Sequence, residues 1–343
     1  MIRVYDHFSV ELETVWRSLE PVACGTVFQT LAWCRNAWEA LLAYGRGNRL
    51  HVIVWHGKPD EAAVLMPTYL DAWGALRFIN DGHSDFGDAL YVPGVNKHYA
   101  FEAIAEVIRS DAKVKSAVLQ KFRQNSEALG YLGTFMKDAL VYRDHTFSHV
   151  EIVQAADFAL GQPHLRKRER KRLAVAAIEV SGAVLETCSA QVGVPFPEAR
   201  ILALRDHMRK QKWRDRDFLD DNLVGFVRRI YSAGICELVF IVLAGCDMAV
   251  SLQLRSGTGL FCWIMLYREP RWNTLLHVKY FDSVAKTISC RVDLGVGTYV
   301  YKLETFRPQL GCTFSLRLDK SVFRRIAGFL FMNWRFIRQG VHR

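Results

Sequence analysis

A chain of 343 residues, half of them apolar, is comfortable for two domains and can bury a sizeable core. An ordinary 23 % of charged residues and no short-period repeat exclude a disordered chain and a solenoid. The net charge of +10, gathered in 166–172, 205–216 and 320–343, favours polyanionic partners such as phosphate-bearing cofactors, nucleic acid or an anionic membrane surface, without choosing among them.

In chain order, Ile2–Tyr5 reads as a short strand and 9–19 as a helix. Phe28–Leu42 has apolar residues at helical spacing, with Thr30 placed to cap it. Leu50–Trp55 and Ala62–Tyr69 read as neighbouring strands across a polar turn, and Ala75–Ile79 as a third strand running into the polar island Asn80–Asp88. A helix is expected at Tyr99–Ile108, a strand at Ala117–Phe122, a helix around Ser126–Gly130 and a strand at His149–Val153. Pro163 opens a basic run, His164–Arg172, continuing as one helix to Val180, with a strand at Ala183–Thr187. Helices at Glu198–Gln211 and Phe218–Ala233 precede a meander of Cys236–Leu243, Met248–Arg255 and Gly259–Tyr267. A helix from Asn273 to Ser289 and a strand at Val292–Leu294 follow. The strand ends in Asp293, a turn with Gly295 and Gly297, and an extended Tyr301–Lys302. The segment from Lys320, with Val322, Ile326, Phe329, Trp334 and Ile337, is amphipathic and basic.

Helices alternating with strands argue for an α/β layer fold. The eight cysteines form no C-x-x-C and lie mostly in apolar runs, as free thiols in a reducing compartment would. The N-terminus carries no apolar signal region, and Leu238–Gly245 is far short of the roughly 20 residues of a membrane span. A cytoplasmic protein is the expectation. No histidine–cysteine cluster, H-E-x-x-H, G-x-S-x-G or Walker motif is present, so no metal is expected.

Two helices, a three-strand meander, strand, helix, strand is the order of the GNAT acyltransferase fold. Phe28-Gln29-Thr30-Leu31-Ala32-Trp33 resembles the "FQ-x-x-x-W" opening of the CelD/BcsL type of acetyltransferase. Phe78–Asp88 is similar to its "FL-G-x-x-x-SDY-D" island, Leu165–Leu173 to its basic helix, Met248–Leu254 to its strand pair, and Asp293–Lys302 to its "D-L-x-x-G-x-x-x-Y-K" signature. These proteins are related to FemAB peptidoglycan transferases, so the resemblance, over about residues 25–305, implies an α/β fold of two GNAT-like halves with mixed sheets flanked by helices. The expected division is 1–160, 161–310 with the basic helix 164–180 at the junction, and a tail 311–343.

The resemblance implies an N-acyltransferase that moves an acyl group, acetyl from acetyl-CoA or another acyl-CoA, to an amino sugar or similar amine in exopolysaccharide or cell-envelope synthesis. Alternatives are aminoacyl transfer from tRNA in the FemAB manner, and a non-catalytic binding module. Acyl transfer needs a base, an oxyanion site and a proton for the leaving group. Asp85 and Asp88 are candidate bases, with His83 beside them as a substrate ligand. Asp81, Asp85 and Asp88 equally suit turn and helix caps. Asp293 and Tyr301 are the catalytic candidates of the second half, and Lys302 a phosphate ligand. Arg168 and Arg172, sharing a helix face, suit a phosphate, and the resemblance suggests a nucleotide- or lipid-linked sugar, or a tRNA, as the ligand that bears it; Trp33 either stacks on a sugar or fills the core. Where GNAT proteins carry a glycine-rich cofactor loop, Tyr267–Thr274 has no glycine; Arg268, Arg271, Asn273 and Thr274 are the cofactor-binding candidates. Peripheral contact with the inner membrane, through the tail, is compatible with the charge. Monomer and homodimer are equally open.

Overall fold

The computed structural model describes residues 1–321 apart from 24, 46, 59–60, 80–81, 163, 214–216, 257–258 and 298. The amphipathic stripe expected from Val322 onward and the cap expected of Asp81 lie outside these residues.

The chain forms two compact units. One comprises Met1–Asp144 and Thr313–Arg343, the other His145–Cys312. The two units meet at 144/145 and 312/313, beside expected boundaries at 160/161 and 310/311, and residues 313–321 group with the first unit.

The first unit contains β1 (Ile2–Tyr5), α1 (Val10–Leu19), α2 (Leu31–Ala37), β2 (Arg49–Leu50), β3 (Val52–Lys58), β4 (Glu61–Met66), β5 (Thr68–Leu70), β6 (Ala75–Phe78), β7 (Leu90–Tyr91), α3 (Lys97–Ser110), β8 (Ser116–Arg123), α4 (Glu127–Phe135) and the start of β9 (Leu140–Ile152). Local chemistry explains the helices. Ser9, Thr30, Asn96 and Ser126 each accept a hydrogen bond from a backbone N–H of the first turn they precede, satisfying a donor the helix cannot. Leu12, Trp16 and Leu19 on α1, and Ala100, Phe101, Ile104, Ala105 and Ile108 on α3, form the buried stripes. One sheet has the order β1-β3-β4-β7, all antiparallel. In the other, β2 and β5 pair antiparallel, β5 and β6 antiparallel, and β6 and β8 parallel across the α3 crossover.

The second unit continues with α5 (Phe158–Gly161), α6 (Lys167–Glu179), β10 (Val184–Cys188), α7 (Glu198–Lys210), α8 (Asp221–Ser232), β11 (Cys236–Leu243), β12 (Cys246–Ser256), β13 (Gly259–Tyr267), α9 (Pro270–Ala285), β14 (Cys290–Val296), α10 (Val300–Phe306) and the start of β15 (Gln309–Asp319). Strands β10 to β13 are an antiparallel meander, β13 pairs with β14 in parallel, and β14 pairs antiparallel with β9. The end of β15, Thr313–Asp319, pairs antiparallel with β8 in the first unit's sheet. Helix α9 packs Trp272, Leu275, Leu276, Tyr280 and Phe281 into the second core.

Mixed sheets flanked by helices agree with the expected fold class. Three local readings change. Tyr301 and Lys302 lie in helix α10, not in an extended segment. Helix α9 begins three residues before Asn273, with Pro270 in its first turn, where the missing N–H costs nothing. Residues 309–319 form a strand where a basic tail was expected to begin.

Candidate functional site

The polar island of the first unit follows β6 and is held by side chains from α2, its preceding turn and β8. Gln29 Nε2 donates to the Phe86 carbonyl at 3.1 Å, and Trp33 Nε1 donates to Ser84 Oγ at 3.0 Å. Lys121 Nζ donates to the Ser84 carbonyl at 2.6 Å, and Gly87 N–H to the Lys121 carbonyl at 3.1 Å. Trp33 is wholly buried against Phe28, so it offers no ring face to a sugar and the substrate role considered for it gives way to a scaffolding one. The glutamine and tryptophan of the "FQ-x-x-x-W" opening therefore set the shape of the island.

Gly87 is required by close approach. A Cβ there would lie 2.4 Å from the Gln120 carbonyl oxygen and 2.5 Å from the Phe78 ring. Gly87→Ala is expected to destabilise the protein by about 1–3 kcal/mol through overpacking, read as a lower urea midpoint with an unchanged slope.

Asp88 is partly buried at the N-terminus of α4. Its Oδ1 accepts from Ala89 N–H at 2.8 Å and from Ser126 Oγ at 3.0 Å. Burial pushes its carboxyl up to about 7, outweighing those two donors and the nearby Arg123 guanidinium. Arg123 itself lies 4.0 Å over the Phe86 ring. His83 is exposed and Asp85 half-buried on the same island. A carboxyl poised near neutrality is what a general base needs.

In the second unit, β13 and β14 pair from Gly259↔Arg291 to Phe261↔Asp293, and among the described residues the ladder goes no further. Around this point gather Cys262, Asn273 and His277 of α9, and Tyr301 and Lys302 of α10. Asp293 is 1 % exposed, and its Oδ1 accepts from Gly295 N–H at 2.9 Å; the turn continues through Gly295 and Gly297 at φ of +76° and +103°, which glycine adopts without strain. Lys302 is 4 % exposed. Its ammonium donates to the Leu294 carbonyl and lies 4.9 Å from the Tyr299 ring centroid. It is thus turned into the fold, not toward a solvent-borne phosphate as expected. Lys302→Met is expected to cost about 1–3 kcal/mol, because it leaves a buried carbonyl without its donor, measured by thermal unfolding.

Tyr301 is half-buried and hydrogen-bonded to the Asn273 side chain; burial raises its phenol above the ordinary range. A phenol held protonated in this way can give up a hydrogen bond but cannot act as a base at neutral pH. Cys262, pushed up to about 12 by burial, is no nucleophile at neutral pH. His277 was not singled out in the sequence, although it lies one turn after Asn273. It is 1 % exposed, its Nδ1 is 2.8 Å from the Asn273 carbonyl oxygen, and burial, with the Lys302 ammonium adding to it, lowers it to about 4. It is therefore neutral at physiological pH. His277 Nε2 and Asn273 Oδ1 have no hydrogen-bond partner among the described residues.

The expected cofactor residues sit at the start of α9. Glu269 is the residue before the helix, and Pro270 occupies its first turn. Arg268 Nε donates to the Asp247 carbonyl at 2.7 Å, while Arg271 pairs with Glu179 at 3.0 Å and Glu269 at 2.9 Å. Thr274 is half-buried. Glu269 and Pro270 stand where a glycine-rich loop would offer backbone N–H groups, and Arg271 already has two carboxylate partners, which makes this turn a poorer phosphate cradle than a glycine-rich one.

On α6, Arg170 donates to the carbonyls of Gln162 and Leu165 at 3.0 and 3.2 Å, and Arg172 pairs with Glu304 at 3.0 Å. Arg168 and Lys171 remain exposed beside an open groove of about 420 Å³ that Arg172, Val175 and Glu179 also line. The expected Arg168–Arg172 pair is thereby reduced, since Glu304 already compensates Arg172.

No family model matches the sequence, and no curated protein matches it. Solved structures do. The chain is similar to the C-terminal domain of a protein assigned as a lysylphosphatidylglycerol synthetase from Agrobacterium fabrum, at 10 % identity and a TM-score of 0.59, covering 92 % of this chain and 94 % of that one. It is similar to L-PGS from Bacillus licheniformis at 10 % identity and a TM-score of 0.58, covering 96 % of each. It is also similar to FemX at 9 % identity and a TM-score of 0.59, covering 91 % and 96 %. At such identities the likeness carries the fold, and it spans both units. Among the described residues no helix is long and apolar enough to cross a membrane.

Proposed function

We propose that this protein is an aminoacyl transferase, taking an amino acid from an aminoacyl-tRNA ester and passing it to an amine or hydroxyl acceptor. The observation that carries this over a coenzyme A donor is the start of α9. Glu269, Pro270 and the paired Arg271 oppose a pyrophosphate at the place where a GNAT enzyme would hold one. The fold shared with FemX and with a lysylphosphatidylglycerol synthetase domain, and the exposed Arg168 and Lys171, support a large phosphate-bearing donor.

In this reading the acceptor nitrogen or oxygen attacks the ester carbonyl, Asp88 takes the acceptor's proton, and the bond to the ribose oxygen of the tRNA breaks. Asp88 returns that proton to the ribose oxygen as it leaves, which regenerates the carboxylate. The new amide or ester is released as the acylated acceptor.

A second reading, acyl transfer from acetyl-CoA or a longer acyl-CoA to an amino-sugar amine, is favoured by the GNAT order of α7, α8, β11–β13, α9 and β14. One pair of titrations separates the two. Labelled aminoacyl-tRNA is expected to bind saturably and to be released by salt, and acetyl-CoA to leave the melting temperature unchanged. A thermal shift with acetyl-CoA, about 2.7 kcal/mol at 100 times its dissociation constant, together with no retention of aminoacyl-tRNA, would overturn the tRNA reading.

A further inference from the structure

Trp73 is a second feature of the first unit that neither core nor island uses. Its side chain is 78 % exposed, an unfavourable place for the largest apolar ring unless something covers it. The turn that carries it is held rigidly. Asp71 Oδ1 accepts from the N–H groups of Trp73 and Ala75, both at 2.9 Å, and Asp71 Oδ2 accepts from Arg77 Nε at 2.9 Å. Gly74, at φ of +74°, lies so close to the loop after α3 that a Cβ would meet the Lys113 carbonyl oxygen at 2.9 Å, and Lys115 N–H donates to the Gly74 carbonyl at 2.8 Å. The indole is thus presented on a fixed support.

The same turn borders an open cleft of about 450 Å³, which Gly47, Arg49, Lys113 and Lys115 also line. Arg49, Lys113 and Lys115 are exposed and form no ion pair among the described residues, whereas the carboxylate that lines the cleft, Asp71, is already bound to Arg77. A cluster of cations beside a rigid, uncovered indole selects a ligand with both a flat aromatic face and phosphate. A lone phosphate would not need the ring, and a neutral aromatic would not need the charge.

We propose that this cleft binds a nucleotide unit, its base stacked on Trp73 and its phosphate set against Arg49, Lys113 and Lys115. The nucleotide is either free or part of a single RNA strand, and the two share this chemistry. The inference rests on residues of the first unit alone, and its test reads binding, so its outcome is separate from that of the transfer reaction.

The test uses the full-length protein with a fluorescent twelve-residue oligouridylate, AMP and inorganic phosphate. The oligonucleotide is expected to bind with salt sensitivity. Trp73→Ala is expected to weaken it between about fivefold and 150-fold, the range set by base–aromatic stacking, while Trp73→Phe keeps most of the affinity. Lys113→Ala combined with Lys115→Ala is expected to lower the slope of log affinity against log salt by about 1.4, or roughly 0.7 for each phosphate no longer neutralised. AMP binding with the same dependence on Trp73 assigns the site to free nucleotide; oligonucleotide binding without AMP binding assigns it to a strand. Melting curves of the Trp73 variants check that this surface truncation leaves the fold intact. Absence of binding to both nucleotide probes overturns the proposal, as does an affinity that Trp73→Ala leaves unchanged. Binding to phosphatidylglycerol vesicles that depends on Trp73, with no nucleotide binding, overturns it in favour of an interfacial anchor.

Discussion

Asp88→Asn is expected to lower the rate of transfer by about 10²–10⁴-fold, the usual contribution of a positioned general base, and to make the protein more stable above neutral pH. The two effects have one cause. Burial holds the Asp88 carboxyl up at about 7, against 3.8 for an unperturbed aspartate. Between these values the folded protein keeps a proton that the unfolded chain has released. Wild-type stability therefore falls as pH rises from about 4 to about 7, and is level above that. Asparagine keeps the oxygen that accepts from Ala89 and Ser126 and removes the buried charge. At pH 8 the variant is expected to gain on the order of 2 kcal/mol, read from urea unfolding at pH 5 and pH 8. In wild type kcat/KM should rise with pH through about 7, as the base ionises; the residual rate of the variant should lack that step. An active Asp88→Asn variant with the wild-type pH profile would remove Asp88 from the chemistry.

Trp33→Ala is expected to cost about 3–5 kcal/mol, the range for deleting a wholly buried large aromatic. The cavity would open beside Phe28, and Ser84 Oγ would lose its donor, so the island bearing Asp85 and Asp88 would loosen with the core. Trp33→Phe retains most of the volume and loses mainly one hydrogen bond, about 1 kcal/mol. Urea unfolding of the two variants measures the difference. If Trp33 were instead a sugar platform, Trp33→Ala would weaken acceptor binding and leave the unfolding midpoint in place.

Much of the fold was legible because its signals are local. Thr30 and Ser126 cap helices where a short polar side chain precedes an apolar periodic run, and the stripes on α1 and α3 follow the 3.6-residue period. The meander β11–β13 was visible because its turns separate three apolar strands. Helix α10 departs from the local signal: Val300 and Tyr301 favour extended structure, while burial of Thr305 and Phe306 on the helix outweighs that preference. Strand β15 leaves little trace in a short window, because its ladder with β8, Thr313↔Arg123 to Asp319↔Ser116, joins segments about 200 residues apart.

The candidate site divides in the same way. The residue types and order of the islands were apparent from the chain, and so was the glycine-less approach to α9. Their environments were not. Lys302 and Asp293 look like ligands in the sequence and are buried in the fold, and His277, unremarked in the sequence, is neutral in the core. Near-neighbour chemistry along the chain sets the secondary structure, the two-part α/β organisation and the places where polar residues cluster. Tertiary structure alone decided which of those residues face solvent, that the end of the last described strand pairs with β8, and that the Asp88 carboxyl is held up near neutrality. Burial and electrostatic environment are set by chain segments far apart in sequence, and no local pattern encodes them.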